Sequence, residues 1–261
     1  QVTPATRAEL APTGKLRVGI NFGNLLFASR DPATGESRGI AVDLARELGR
    51  QSGIPLELVG YDSAGQLTAA MKTGAWDVAF LAFEPARAAE ISFTAAFAEV
   101  ESSYLVPAGS PLRNVTDVDR EGVRIAVSAK GGNDLFLSRT LKHARLVRTP
   151  GSAAAFKLFV ADKLEAYAGL KPQLLAEADK LPGSRVLDGR YTVVGYSVGT
   201  HRGREAGAKY LAEFVEEAKL SGLVARAIEK NGIRGVSVAP TVQPSSTLQI
   251  GGGMSYGVMS R

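Results

Sequence analysis

The sequence predicts an α/β fold, a largely parallel sheet covered by helices. Strand-like and helix-like patterns alternate along the chain, the hallmark of strand-helix-strand units. The six apolar residues Val78 to Phe83 form an unbroken run, as in a strand buried on both faces. Glycine and proline, as at Gly53, Pro55 and Gly74, punctuate these segments.

The elements follow in order. A first strand at 16–20 leads into the glycine-containing loop Asn21-Phe22-Gly23-Asn24. Ala41, Leu44, Ala45 and Leu48 then recur at helical spacing, with Asp43, Arg46, Glu47 and Arg50 facing outward, and Gly53 and Pro55 end that helix. A second strand occupies 56–59. Ser63 caps a short helix that buries Leu67, Ala70 and Met71 and stops at Gly74, and the third strand runs over 76–83. After a strand at 103–106, the segment Pro107-Ala108-Gly109-Ser110-Pro111 marks a boundary. A second series begins with a strand at 123–127, helices near 135–141 and 152–160, and a strand at 164–169. Two short strands at 191–194 and 196–199 return the chain. Two more helices follow, one buried through Leu211, Phe214, Val215 and Ala218, the other through Val224, Ala227 and Ile228. From Ala239 onward the composition is that of a flexible linker.

Composition narrows the function. The chain has 261 residues, 45% hydrophobic and 22% charged, enough for one large domain or two small ones. No apolar run approaches the ~18 to 20 residues of a membrane span. With 31 basic against 26 acidic residues the formal charge is +5, spread along the chain, and there is no zinc-finger spacing or basic region with aromatics, so nucleic acid is not an expected partner. The absence of cysteine removes disulfides, thiolate metal sites and cysteine nucleophiles. His143 and His201, both in basic surroundings, read as surface residues, and neither a metal site nor a cofactor is expected. The chain begins at Gln1 without the apolar core of a signal peptide, as expected if a leader has been removed.

Arg87 is the first candidate for chemistry. The buried strand delivers it to the carboxyl edge of a sheet, where ligands of open α/β folds bind and a guanidinium can grip a carboxylate with two hydrogen bonds. Alternatively, Pro85 starts a helix and Arg87 makes a solvated pair with Glu84 or Glu90.

Four local patterns together decide between these readings: Gly14-Lys15-Leu16-Arg17-Val18-Gly19, Arg38-Gly39-Ile40-Ala41-Val42-Asp43-Leu44-Ala45, Lys72-Thr73-Gly74-Ala75-Trp76-Asp77-Val78, and Pro85-Ala86-Arg87-Ala88-Ala89-Glu90-Ile91-Ser92-Phe93-Thr94. In this order, over about 13–235, the chain resembles the family-3 periplasmic solute-binding proteins of ABC importers, the polar amino-acid-binding type. The resemblance implies a two-lobed type II periplasmic binding protein fold, each lobe a mostly parallel sheet flanked by helices. Lobe 1 would comprise 13–104 and 195–238, lobe 2 105–194, and the flexible tail 239–261. It further implies a monomeric periplasmic protein that binds without catalysis, closes about its hinges on a small carboxylate ligand, and presents it to an ABC permease.

Residue by residue, Arg87 matches the arginine that holds the ligand's α-carboxylate, and Leu81, Ala82 and Phe83 match the backbone stretch before it. Phe22 and Asn24 lie in the loop that often sets an aromatic against the ligand, though Phe22 reads equally as core. Ser128, Lys130 and Gly131, with Ala129 and Gly132, precede a lobe 2 helix whose free N–H groups favour an anion, or simply make a tight turn. The chain departs from the family at its "D-A-x-x-x-D" pattern, which reads Glu165-Ala166-Tyr167-Ala168-Gly169-Leu170, with leucine in place of the aspartate that binds the ligand's ammonium. Either Glu84 supplies that charge from lobe 1, or Lys171 adds a second cation and the ligand is an organic acid without an amine; Lys171 also reads as a solvent-facing residue before Pro172. Two other functions remain open: a cyclohexadienyl dehydratase-like enzyme with Glu84 as acid, and the ligand-binding sensor domain of a receptor.

Overall fold

A computed structural model describes residues 2–242. Its first helix, α1 (Pro4–Leu10), was not expected from the sequence: Thr3 caps it by accepting from the Thr6 N–H, Pro4 fills the first turn, and Leu10 is buried. In the first half of the fold, β1 (Leu16–Asn21) pairs in parallel with β4 (Leu56–Tyr61) and β5 (Val78–Ala82). A small hairpin, β2 (Ser29–Arg30) with β3 (Ser37–Arg38), precedes α2 (Ile40–Ser52), and α3 (Ala64–Ala70) leads towards β5. The α2 stripe is buried at Ala41, Leu44, Ala45 and Leu48, and Gly53 ends the helix at φ 69, a left-handed conformation natural to glycine. Turns over 85–90 stand where the alternative reading starts a helix at Pro85, and they lead to β6 (Ile91–Phe93) and β7 (Ala98–Val106).

The second half contains β8 (Arg124–Ser128), α4 (Gly132–Thr140), β9 (Arg145–Thr149), α5 (Ser152–Ala161), β10 (Ala166–Leu170), α6 (Lys171–Ala178) and β11 (Arg185–Val186). The chain returns through one continuous strand, β12 (Thr192–His201), instead of the two expected there. Helices α7 (Glu205–Leu220) and α8 (Leu223–Lys230) and strand β13 (Val236–Val238) complete the described chain. Ala239, expected in the flexible tail, is buried, and its N–H donates to Phe97 O; residues 243–261 of that tail lie outside the described residues.

The main sheet runs β4-β1-β5-β12-β7-β10-β8-β9. Parallel triplets lie at its two ends, and the long antiparallel pair β12 and β7 joins them. Along β7, residues 98–102 pair with β12 and residues 102–105 with β10. The packing changes over the same stretch: Val100 belongs to the core of β1, β5, α2 and α7, whereas Tyr104 belongs to that of β8 and β10. Each half is covered on both faces. Val78, Phe80 and Ala82 face one core layer and Ala79 and Leu81 the other, which explains why β5 reads as a continuous apolar run.

An ion cluster anchors the start of β5. Asp77 is fully buried, accepts from Arg17 Nε and Nη2 at 2.9 and 3.0 Å, and accepts from Arg204 Nη1 at 3.0 Å. His201, expected at the surface, is half-buried, its Nε2 2.7 Å from Trp76 O and its ring edge-on to the Trp76 indole.

Candidate functional site

β5 ends at Ala82, and the turn that follows folds Arg87 back beneath it. Arg87 Nη1 donates to Ala82 O and Nη2 to Lys130 O, each at 2.9 Å, so one guanidinium ties the first half to the second. The residue is only 7% exposed, and no carboxylate among the described residues pairs with it. Burial pushes its pKa down to about 10. A cation this deep, bonded only to carbonyls, is held in surroundings that favour an anion beside it.

Arg87 lines a cavity of about 100 Å³ between the halves, several times the space of a water and suited to a small solute. Phe27, Phe80 and Phe97 supply an apolar wall from the first half. Tyr196 lies against Phe27, ring centroids 4.1 Å apart, and its hydroxyl accepts from Asn24 Nδ2 at 3.1 Å. Burial pushes the Tyr196 phenol up to about 12, leaving a neutral hydroxyl at neutral pH. Across the cavity stand Ser128, Gly131, Asn133, Ser152, Leu170 and Gln173.

The second-half wall is electrostatically one-sided. Gly131, Gly151 and Leu170 are the N-caps of α4, α5 and α6; none caps its helix through a side chain, and all three line the cavity. The positive ends of three helix dipoles therefore meet there. Lys130 adopts φ 59, a left-handed conformation unusual for a residue with a side chain, and its N–H donates to Asp134 Oδ2 at 2.8 Å. That carboxylate is buried and also accepts from Arg148 Nε, fixing the loop that aims Lys130 O at Arg87.

Of the residues singled out in the sequence, Arg87, Leu81, Ala82, Asn24, Ser128 and Gly131 line the cavity. The others lie elsewhere. Glu84 is 4% exposed, and its carboxylate lies against Arg139 of α4 in an adjoining hollow, not among the residues that line the cavity. Phe83 is 47% exposed and packs edge-on against Phe93. Phe22 lies under the Arg30 guanidinium, 4.1 Å from ring centroid to Cζ. Lys130 contributes its carbonyl while its side chain is exposed, and Lys171 reaches Gly189 O and Glu101 over a different groove. The sequence reading missed Phe27, Phe97, Asn133, Ser152 and Gln173, which sit in loops or at helix starts without a periodic pattern. Sequence pattern marks Tyr196 only as a strand residue. Among the described residues, no cluster of three or more His, Asp or Glu side chains could hold a metal.

The family profile described as bacterial extracellular solute-binding proteins, family 3, matches residues 16–232. The chain belongs to this family. Solved structures share the fold. One is an amino acid ABC transporter substrate-binding protein from Streptococcus pneumoniae bound to L-arginine, 18% identical, covering 91% of this chain and 100% of that one with a TM-score of 0.72. Another is an ancestral amino acid-binding protein described as a precursor of cyclohexadienyl dehydratase, 21% identical, covering 86% and 98% with a TM-score of 0.71. A third is a histidine kinase sensor domain with similarity to periplasmic binding proteins, 20% identical, covering 86% and 98% with a TM-score of 0.73. No curated protein matches the sequence. The two-lobed periplasmic binding fold of this family accounts for the two sheet halves, and no helix among the described residues is long and apolar enough to cross a membrane.

Proposed function

We propose that this chain is the extracytoplasmic, periplasmic solute-binding component of an ABC importer, and that it captures a small carboxylate-containing solute, an amino acid or a related organic acid, between its lobes. The observation that carries this reading is Arg87: a buried guanidinium without a carboxylate partner among the described residues, lining a cavity at the junction of the halves. Its remaining N–H donors and the backbone around Gly131 hold the carboxylate, Asn24 and Tyr196 flank it, and the phenylalanines enclose the apolar body of the solute.

Lobe 1 comprises 13–104 with 195–238 and lobe 2 comprises 105–194. The lobes hinge where β7 and β12 pass between the two cores, and closure brings Lys130 O onto Arg87. The protein acts as a monomer, binds without turnover, and signals occupancy to the permease through the closed shape. The placement of Glu84 against Arg139 supports binding over dehydration, because a dehydratase needs a proton donor within the cavity.

A thermal-shift panel of small carboxylates and their neutral amides tests the reading. A solute at ~100 times its Kd stabilises the fold by about 2.7 kcal/mol, several degrees in Tm. Carboxylates are expected to raise Tm and the amides to leave it unchanged; a panel in which amides and acids act alike contradicts the proposal.

A further inference from the structure

We propose that the solute is an organic anion without an amine. This rests on the carboxylate reading above and narrows it to a chemical class. An ammonium brought into the cavity beside buried Arg87 sheds part of its water shell and needs a carboxylate or an equivalent set of acceptors in return. Among the described residues the cavity wall contains one acidic side chain, Asp62, and that residue is exposed at the rim, where water screens it. The two buried acids nearby are committed elsewhere. Glu84 pairs with Arg139, and Asp134 is bound by Arg148, Ser138 and the Lys130 N–H.

The wall facing Arg87 adds a second, independent reason. Leu170 is 4% exposed, lines the cavity, and caps α6 with a hydrocarbon side chain that cannot accept a hydrogen bond. Beside it the starts of α5 and α4 present two more uncapped helix ends. Three positive dipole ends and a guanidinium repel an ammonium and attract carboxylate oxygens. The neutral amides of Asn133 and Gln173 and the hydroxyls of Ser128 and Ser152 suit uncharged polar groups or further carboxylate oxygens.

Matched pairs that differ only in the amine test this on the wild-type protein: pentanoate against L-norvaline and glutarate against L-glutamate, each titrated by calorimetry with Tm as a second readout. The amine-free partner of at least one pair is expected to bind at least tenfold more tightly. Amino acids that bind as well or better overturn the inference while leaving the carboxylate reading intact; if no member of either pair binds, or if Arg87→Met binds them equally, the carboxylate reading fails and the inference falls with it. Leu170→Asp, which places an acceptor for an ammonium at that wall, is expected to reverse the preference within a pair. An unchanged preference in a folded Leu170→Asp protein also overturns the inference, and should that variant fail to fold, the wild-type pairs still decide.

Discussion

Arg87 Nη2 lies 2.9 Å from Lys130 O, a hydrogen bond that joins two residues from opposite halves of the sheet beside the cavity between them. The same guanidinium holds Ala82 O, so its charge is positioned by backbone carbonyls and no described carboxylate neutralises it. Arg87→Met removes the charge and its fork of donors. A carboxylate ligand is expected to bind about 100-fold more weakly, the equivalent of roughly 3 kcal/mol for charge-assisted bonds. Calorimetry on a variant with unchanged circular dichroism measures it; a loss below threefold contradicts the role.

Affinity is expected to be flat across neutral pH. Burial lowers the Arg87 pKa to about 10, which still leaves the group charged between pH 6 and 8.5, and Tyr196, raised to about 12, stays neutral there. The folded pKa of Arg87 lies below its ordinary value of 12.5, so the cost of burying the charge persists below about pH 10 and is relieved as pH rises through that value. Titrations at pH 6, 7 and 8.5 should agree within twofold; a steep change would place a different titrating group in control.

The ion pair of Glu84 with Arg139 joins the end of β5 to α4 outside the cavity. Under the proposed lobe closure the pair is a clasp on the closed form that does not touch solute. Arg139→Ala and Glu84→Gln are each expected to weaken binding about fivefold, roughly 1 kcal/mol, because Arg139 is partly exposed and the pair is correspondingly screened. In a double-mutant cycle the combined variant should lose no more than the larger single loss. Additive losses contradict direct coupling.

Asp77 is fully buried between Arg17 and Arg204, far along β5 from Arg87. Asp77→Ala is expected to cost about 3 kcal/mol in urea unfolding, since it leaves two partly buried guanidinium groups without their acceptor. Solute affinity at temperatures where the variant remains folded should stay within twofold of wild type. A large affinity change with little loss of stability would contradict a purely structural role.

The order of elements was legible because buried stripes and strands carry their own periods. The α2 stripe and the β5 run announce both their type and the layers that cover them. Less legible were elements defined by pairing alone. β9 (Arg145–Thr149), with charge at both exposed positions, is a strand because it lies beside β8, and β12 is continuous because β5, β6 and β7 each pair with part of it. Helix α6 begins at Lys171 and Pro172, where a proline suits a first turn as well as a loop.

The site was legible to the extent that its residues lie next to strand ends. Arg87, Ala82 and Ser128 follow directly from β5 and β8. Glu84 was misplaced because a turn reverses the chain between it and Arg87, sending two side chains three residues apart into different hollows. Phe27 and Phe97 come from loops that only the assembled fold brings together, and their T-shaped contact, 5.9 Å between centroids, has no signal in sequence spacing.

The most direct measurement is a crystal structure of the protein with a bound carboxylate that raises its Tm. A carboxylate oxygen is expected within hydrogen-bonding distance of a guanidinium nitrogen of Arg87, inside the cavity that Tyr196 and Leu170 also line. A solute bound on another surface, or one seated in the cavity with its carboxylate turned away from Arg87, would contradict the account.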